Sequence, residues 1–216
     1  MAELGAVLFD MDGTLVDSEK VWDVGLAELA AHYGGELSAA ARASMIGTSM
    51  IDTMTILHDD LAQPWRDPVA STAWLETRMG ELFAAGLVWR DGARELLAEV
   101  RAAGVPTALV TATRRPLVEV ALTTIGAENF DLVVCGDDLD RTKPHPEPYL
   151  AAAEGLAVPI DRCVAIEDSP NGVRSAVAAG AVVVAVPSEV DLAGLAGVTH
   201  VRSLADVDLA FLRALV

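Results

Sequence analysis

The chain has 216 residues, enough for one globular domain or one domain with a modest insertion. Hydrophobic residues make up 52% of the sequence, which is typical of a large buried core and argues against disorder. The 15 lysines and arginines stand against 32 aspartates and glutamates, and the resulting net charge of -17 disfavours binding to nucleic acids or anionic membranes. An anionic small substrate is still compatible with this charge, because a bound cation can reverse the local field.

The cysteines and the apolar stretches indicate the compartment. Cys135 and Cys163 lie in apolar runs and form no CxxC pair, as expected of small buried residues in a reducing environment. The N-terminus lacks the cationic stretch of a signal peptide, and the longest apolar stretch, 176–187, is too short to span a bilayer. We therefore expect a cytoplasmic protein. Given its charge, we expect no nucleic-acid or membrane partners, and we expect a monomer or a weak dimer.

Short apolar runs alternate with helical patterns along most of the chain. Runs typical of strands buried on both faces cover residues 4–9, 105–110, 132–135, 163–166 and 181–186. Helical patterns cover residues 92–103, 116–125, 147–156 and 171–179. This alternation predicts an α/β fold, a Rossmann-like parallel sheet flanked by helices.

Residues 17–87 interrupt the alternation. They contain helical patterns at 19–33, 38–45, 49–61 and 69–85, with few β-branched runs between them. We predict an inserted all-helical domain at 17–87 and an α/β core formed by 1–16 and 88–216. From residue 188 onward the core continues as peripheral elements, with an edge strand near His200 and Val201 and a last helix from Asp206.

Two carboxylates directly follow the first predicted strand. Asp10 and Asp12 are two residues apart, a spacing that points both side chains in a similar direction at a strand end. Two nearby carboxylates both ionise readily only with a cation between them, unless one of them keeps a proton. Gly13 permits a sharp turn here. The alternative is an acidic loop whose aspartates are solvated.

A second acidic pair follows the strand at 163–166. Ligands of open parallel sheets bind beyond the carboxyl ends of the strands, so Glu167 and Asp168 can converge with Asp10 on one cation. Oxygen ligands without histidine or cysteine favour Mg²⁺ over Zn²⁺. The alternative for Asp168 is a structural role at the start of the next helix.

A hydroxyl group and a lysine complete the pattern of polar residues after strands. Thr111, Ala112 and Thr113 follow the strand at 105–110 and precede a helix, a favourable place for an anion, although either threonine is alternatively a helix N-cap. Lys143 precedes a stiff Pro-His-Pro segment that restricts where its amine can lie. His145 in that segment is a candidate substrate contact or an incidental loop residue.

The order of these segments resembles the haloacid dehalogenase superfamily of phosphohydrolases over essentially the full chain. The matching segments are DMDGTLVDSE (10–19), ALVTATR (108–114), KPHPEPYL (143–150) and IEDSPNGVRSAVAAG (166–180). The helical insertion is similar to the small cap domain of the β-phosphoglucomutase-like branch. Dehalogenase chemistry is disfavoured, because those relatives lack the second aspartate of the first motif.

This resemblance implies a role for each motif residue. Asp10 would be the nucleophile that forms an aspartyl phosphate, and Asp12 the general acid and then the general base. Thr111, the backbone at Ala112 and Lys143 would hold the phosphoryl oxygens.

The resemblance also implies a magnesium site. Mg²⁺ would be held by Asp10, the backbone carbonyl of Asp12, and Asp168, with Glu167 supporting it directly or through water.

We expect the cap to close over the site and to select the substrate. Candidate contacts are Glu19, Trp22, Thr48, Ser49 and the helix that begins near Met50. Mutases of this branch carry an arginine where this chain has Met50, after Gly47-Thr48-Ser49. We therefore favour hydrolysis of a small sugar or polyol phosphate over a sugar phosphomutase. The other alternative, a non-catalytic sensor of a phosphorylated metabolite, is disfavoured because all four motifs are intact.

Overall fold

The computed structural model of the protein describes residues 3–45, 48–188, 190 and 192–216. Gly47, which was part of the expected cap motif, lies outside these residues. The described strands are β1 (Ala6–Phe9), β2 (Thr107–Val110), β3 (Leu132–Val134), β4 (Cys163–Glu167), β5 (Val182–Ala185) and β6 (Thr199–His200). They form one parallel sheet in the order β3-β2-β1-β4-β5-β6. The predicted α/β class and parallel sheet are confirmed.

The described helices agree with the predicted helical stretches to within a few residues at each end. They are α1 (Glu19–His32), α2 (Ala39–Met45), α3 (Met50–Asp60), α4 (Pro68–Ala84), α5 (Ala93–Ala102), α6 (Arg115–Ile125), α7 (Glu147–Gly155), α8 (Pro170–Ala179) and α9 (Leu209–Ala214). The last helix begins three residues later than predicted, because Asp208 rather than Asp206 caps it through a hydrogen bond from Phe211 N.

Strand β1 lies at the centre of the sheet and carries the first motif at its end. All four of its residues are fully buried, which explains why its sequence is continuously apolar. Phe9 is in register with Leu109 of β2 on one side and with Ile166 of β4 on the other. The residues that follow these three strands are therefore neighbours at one edge of the sheet.

Local sequence signals explain where α8 begins and ends. Ser169 accepts a hydrogen bond from Gly172 N, and Pro170 occupies the first turn, where its missing N–H is not needed. Gly180 ends the helix with φ +92°, a conformation that disfavours other residues. The position of this helix start matters because Glu167 and Asp168 lie immediately before it.

The chain divides into two compact units. The first, Met1–Asp17 with Leu87–Val216, contains the sheet, and the second, Ser18–Gly86, contains α1 to α4. Within the helical unit, α4 packs against α1 and α3.

The helical unit encloses a chain of polar side chains. Ser71 Oγ lies 2.7 Å from Tyr33 Oη and 2.8 Å from His58 Nε2, and the Ser71 and His58 side chains are buried. Burial, followed by the charge of Arg66, lowers the pKa of His58. The neutral imidazole can accept a hydrogen bond from Ser71, which in turn can accept one from Tyr33.

Among the described residues, no helix combines the length and the apolar character needed to cross a membrane.

Candidate active site

The structure brings the residues of the four motifs to the carboxyl end of the central strands. Asp10 follows β1, Thr111 follows β2, and Glu167 and Asp168 stand at the end of β4. The backbone N–H of Asp10 donates to Ile166 O at 3.1 Å, which ties the first and fourth motifs together. This is the edge at which open parallel sheets bind ligands.

Lys143 is the cation at the centre of the site. Its Nζ donates to Asp10 Oδ1 at 2.7 Å, to Glu167 Oε1 at 2.5 Å and to Val110 O at 2.8 Å. These three acceptors match the three N–H groups of an ammonium ion. The side chains of Lys143, Asp10 and Glu167 are 5%, 8% and 0% exposed, so this is a buried ionic cluster rather than a surface ion pair.

Burial and the neighbouring charges together shift the pKa values of Asp10 and Lys143. Burial, and next the charge of Glu167, raise the pKa of Asp10 to about 7, although Lys143 opposes the change. Burial alone would lower the pKa of Lys143, but the charges of Asp10 and Glu167 outweigh it and raise that pKa, which keeps the amine protonated. A cation beside Asp10 favours its ionised form further.

Three buried carboxylates lie close enough together to be candidates for holding one cation. One oxygen each from Asp10, Glu167 and Asp168 lies within 4.8 Å of the others. Gly13 leaves space for Asp168, since a Cβ on this glycine would lie 1.9 Å from Asp168 Oδ2. The all-oxygen donor set fits a hard cation such as Mg²⁺. The predicted contribution of the Asp12 carbonyl stays a prediction.

Asp12 is hydrogen-bonded to the threonines that follow β2. Its Oδ2 accepts from Thr113 Oγ1 at 2.7 Å and from Thr111 Oγ1 at 3.3 Å. The backbone N–H of Thr113 also donates to Thr111 Oγ1 at 3.0 Å. The N-cap of α6 is Arg114, so the alternative that either threonine caps this helix is wrong. Ala112 lies between the two threonines in this turn.

Sequence reasoning missed several side chains that support the site. Tyr149 on α7 donates from its hydroxyl to Glu167 Oε1 at 2.5 Å, and Ser175 on α8 donates to the His145 carbonyl at 2.5 Å. A Cβ at Gly172 would lie 1.9 Å from Glu167 Oε2. A tyrosine within an apolar helical stretch was the available signal for Tyr149, but that pattern is more typical of core packing.

His145 takes part in the turn that carries Lys143. Its Nδ1 accepts from Glu147 N at 3.2 Å, and its Nε2 lies 2.9 Å from Arg141 Nη1. These contacts give the ring a structural role in the turn, and its predicted contact with substrate stays a prediction.

Comparison with known proteins gives the family. The haloacid dehalogenase-like hydrolases match residues 4–180. The chain is 32% identical to hexitol phosphatase A of Escherichia coli K12, over 85% of this chain and 83% of that protein. It is also 32% identical to validoxylamine A 7'-phosphate phosphatase of Streptomyces hygroscopicus subsp. limoneus, over 88% of each.

A solved structure agrees with these relatives. It is a mutant of CbbY from Rhodobacter sphaeroides in complex with xylulose-(1,5)bisphosphate, with a TM-score of 0.83 and 29% identity, covering 97% of this chain and 99% of that chain. The family matches most of the chain, and both the resemblance and the prediction of a phosphatase-type enzyme are confirmed. This chain belongs to the haloacid dehalogenase-like hydrolase family.

Proposed function

We propose that the protein is a Mg²⁺-dependent phosphomonoester hydrolase that acts on a small sugar or polyol phosphate through an aspartyl phosphate. The observation that carries the proposal is the convergence of Asp10, Lys143 and Asp168 at one edge of the sheet. A nucleophilic carboxylate, a fixed ammonium group and a cation-binding carboxylate are the groups that phosphoryl transfer needs in one place.

In this proposal a carboxylate oxygen of Asp10 attacks the phosphorus atom and the ester bond to the substrate oxygen breaks. Asp10 must be ionised to attack, and Lys143 at 2.7 Å favours that form. Asp12 gives its proton to the departing oxygen, then accepts a proton from the water that hydrolyses the aspartyl phosphate. The hydroxyls of Thr113 and Thr111 hold the Asp12 side chain in place for both steps.

Lys143 would hold a phosphoryl oxygen together with Thr111 and the backbone at Ala112. All three acceptors of Lys143 are supplied by the protein, so a phosphoryl oxygen must replace one of them. We expect the phosphoryl oxygen to replace Asp10 as an acceptor of Lys143. The Asp10 carboxylate loses its negative charge when it becomes phosphorylated, so its hydrogen bond to the ammonium group weakens. The bonds to Glu167 and Val110 then keep the ammonium group in position.

The residues that would hold Mg²⁺ are Asp10, Asp168 and the Asp12 carbonyl, with Glu167 beside them. When bound, the ion neutralises charge on the phosphoryl group and lowers its repulsion of the nucleophilic carboxylate. The buried oxygen cluster supports this assignment.

The names of the relatives support a polyhydroxylated substrate. Hexitol phosphatase A and validoxylamine A 7'-phosphate phosphatase are named for such compounds, and the CbbY mutant binds a sugar bisphosphate. Met50, at the position where mutases of this branch carry an arginine, favours hydrolysis over transfer to a second position. The helical unit is where we expect the sugar to be selected.

A phosphate-release assay tests this proposal. The panel contains hexose, pentose, hexitol and glycerol phosphates with phosphoglycolate and a nucleotide, each with Mg²⁺ and with EDTA. We expect Mg²⁺-dependent release that Asp10→Asn abolishes and that Asp161→Asn, a change of an exposed aspartate, preserves. ³¹P NMR separates free phosphate from isomerised sugar phosphate. Full activity of Asp10→Asn contradicts the mechanism, and binding without turnover favours the sensor.

A further inference from the structure

Tyr149 is buried beside the ionic cluster of Lys143, Asp10 and Glu167, although no step of the proposed reaction requires it. Its side chain is fully buried in a hydrophobic core cluster that includes residues of β1 and β4. The hydroxyl donates to Glu167 Oε1 at 2.5 Å. Burial, and next the charge of Glu167, raise the pKa of Tyr149, so the hydroxyl keeps the proton that it donates.

Glu167 is held from several sides. Its Oε1 accepts from both Tyr149 and Lys143, and its Oε2 lies 3.3 Å from the donor Ser169 Oγ. The backbone of Gly172 also lies against this carboxylate, since a Cβ there would lie 1.9 Å from Glu167 Oε2. The carboxylate therefore has one orientation in which every contact is satisfied.

The orientation of Glu167 determines where the ammonium group of Lys143 lies. Glu167 Oε1 and Val110 O are the two acceptors that remain for Lys143 once a phosphoryl oxygen has displaced Asp10. Without the tyrosine hydroxyl, Oε1 loses its second donor, and the carboxylate can rotate away from the lysine. Buried charged groups respond strongly to the loss of one hydrogen bond.

We infer that Tyr149 is a positioning residue: its hydroxyl fixes the Glu167 carboxylate, and through it places the Lys143 ammonium group where it meets the transferring phosphoryl group. The inference rests on the proposed phosphatase function. Because a phosphoryl oxygen reaches Lys143 only when it displaces Asp10 during the attack, we expect the effect on turnover rather than on substrate binding.

The test compares Tyr149→Phe with the wild type and with Thr107→Val. The phenylalanine keeps the ring in the core and removes only the hydroxyl. Thr107→Val removes another buried hydroxyl, 2.7 Å from Asn129 O at the opposite end of β2. We expect Tyr149→Phe to lower kcat about 10-fold, to change KM less than about twofold, and to lower the thermal midpoint no more than the control does.

A second measurement shows whether Tyr149 acts through Glu167. In a Glu167→Gln background, adding Tyr149→Phe should lower kcat less than about twofold, because the carboxylate that it positions is already gone. Equal losses in both backgrounds overturn the inference. An unchanged kcat of Tyr149→Phe also overturns it. The same holds if the loss of kcat accompanies a larger drop in thermal midpoint than Thr107→Val shows. If the wild type itself releases no phosphate from any substrate, the proposed function fails first, and the role of Tyr149 in turnover fails with it.

Discussion

Gly13 and Asp168 stand so close together that a Cβ on the glycine would lie 1.9 Å from the carboxylate oxygen Oδ2. Gly13 also has φ +78°, a conformation that costs other residues about 1–3 kcal/mol. Gly13→Ala should therefore destabilise the protein and also displace Asp168. Since displacement of a site group by about 1 Å can cost about 100-fold in rate, we expect phosphate release to fall by about that factor.

Gly104→Ala separates the two effects of this substitution. Gly104 has a similar φ of +70°, but no atom lies within 4 Å of the position that its Cβ would take. Gly104→Ala should lower the urea midpoint through its backbone conformation alone, and Gly13→Ala should lower it at least as much. Only Gly13→Ala should lose activity. Equal activity of the two variants argues that Asp168 tolerates the displacement.

Replacing Lys143 should remove a buried charge on which two carboxylates depend. Lys143→Met leaves Asp10 and Glu167 without their shared cation, and breaking a buried ion pair in this way costs about 3–5 kcal/mol. Urea unfolding in the presence of EDTA measures this cost without compensation by a metal. Phosphate release should be lost in the same variant.

Arg162→Met is the matched control for Lys143→Met. The Arg162 side chain is 38% exposed, its Nη2 lies 3.9 Å from Glu3 Oε2, and its Nε donates to Glu3 O at 2.9 Å. Its loss should cost about 1 kcal/mol, less than the loss of a buried charge. If both methionine variants are destabilised equally, the buried cluster contributes no more to stability than a surface pair.

The fold and the backbone positions of the motif residues could be predicted because strong local signals mark them. Each central strand is an apolar run that stops at a polar residue, as at Phe9 and Asp10, and several helices stop at glycines such as Gly180. Parallel pairing then requires the ends of neighbouring strands to meet. The periodicity of the sequence and the direction of the chain are therefore enough to place these residues at one edge of the sheet.

The supporting contacts could not be predicted because they depend on side-chain orientation between distant segments. Tyr149 reaches Glu167 18 positions away, and Thr113 reaches Asp12 101 positions away. In the sequence, Tyr149 is indistinguishable from an aromatic core residue, and Thr113 is indistinguishable from a helix cap. The space that Gly13 leaves for Asp168 likewise depends on a contact across the sheet.

Asp168 should control the affinity of the site for Mg²⁺. A ligand that binds only the folded state raises the thermal midpoint, so Mg²⁺ should stabilise the wild type and EDTA should reverse the effect. Asp168→Asn removes the charge of one member of the oxygen cluster and should raise the Mg²⁺ concentration needed for this shift by at least about 10-fold. Glu95→Gln, a change of an exposed acid on α5, should leave the Mg²⁺ dependence unaltered. An unaltered dependence in Asp168→Asn would mean that the cation binds elsewhere.

The stability of the helical unit should fall as the pH is lowered through the range in which His58 takes up a proton. Burial lowers the pKa of His58 below its ordinary value of 6.5, so the folded state favours the neutral ring more than the unfolded state does. The associated stability is fully present above about pH 6.5, the ordinary pKa of histidine, and is lost as the pH falls through the lowered folded pKa. The hydrogen bond that Ser71 can donate to Nε2 at 2.8 Å also requires the neutral ring.

Amide hydrogen exchange in α3 and α4, corrected for the intrinsic effect of pH, should therefore show lower protection at pH 5 than at pH 7. His58→Gln, which keeps a polar partner for Ser71 without titrating, should reduce this pH dependence, whereas His200→Gln, at an exposed position on β6, should not. The same pH dependence in wild type and His58→Gln would assign the effect to another group.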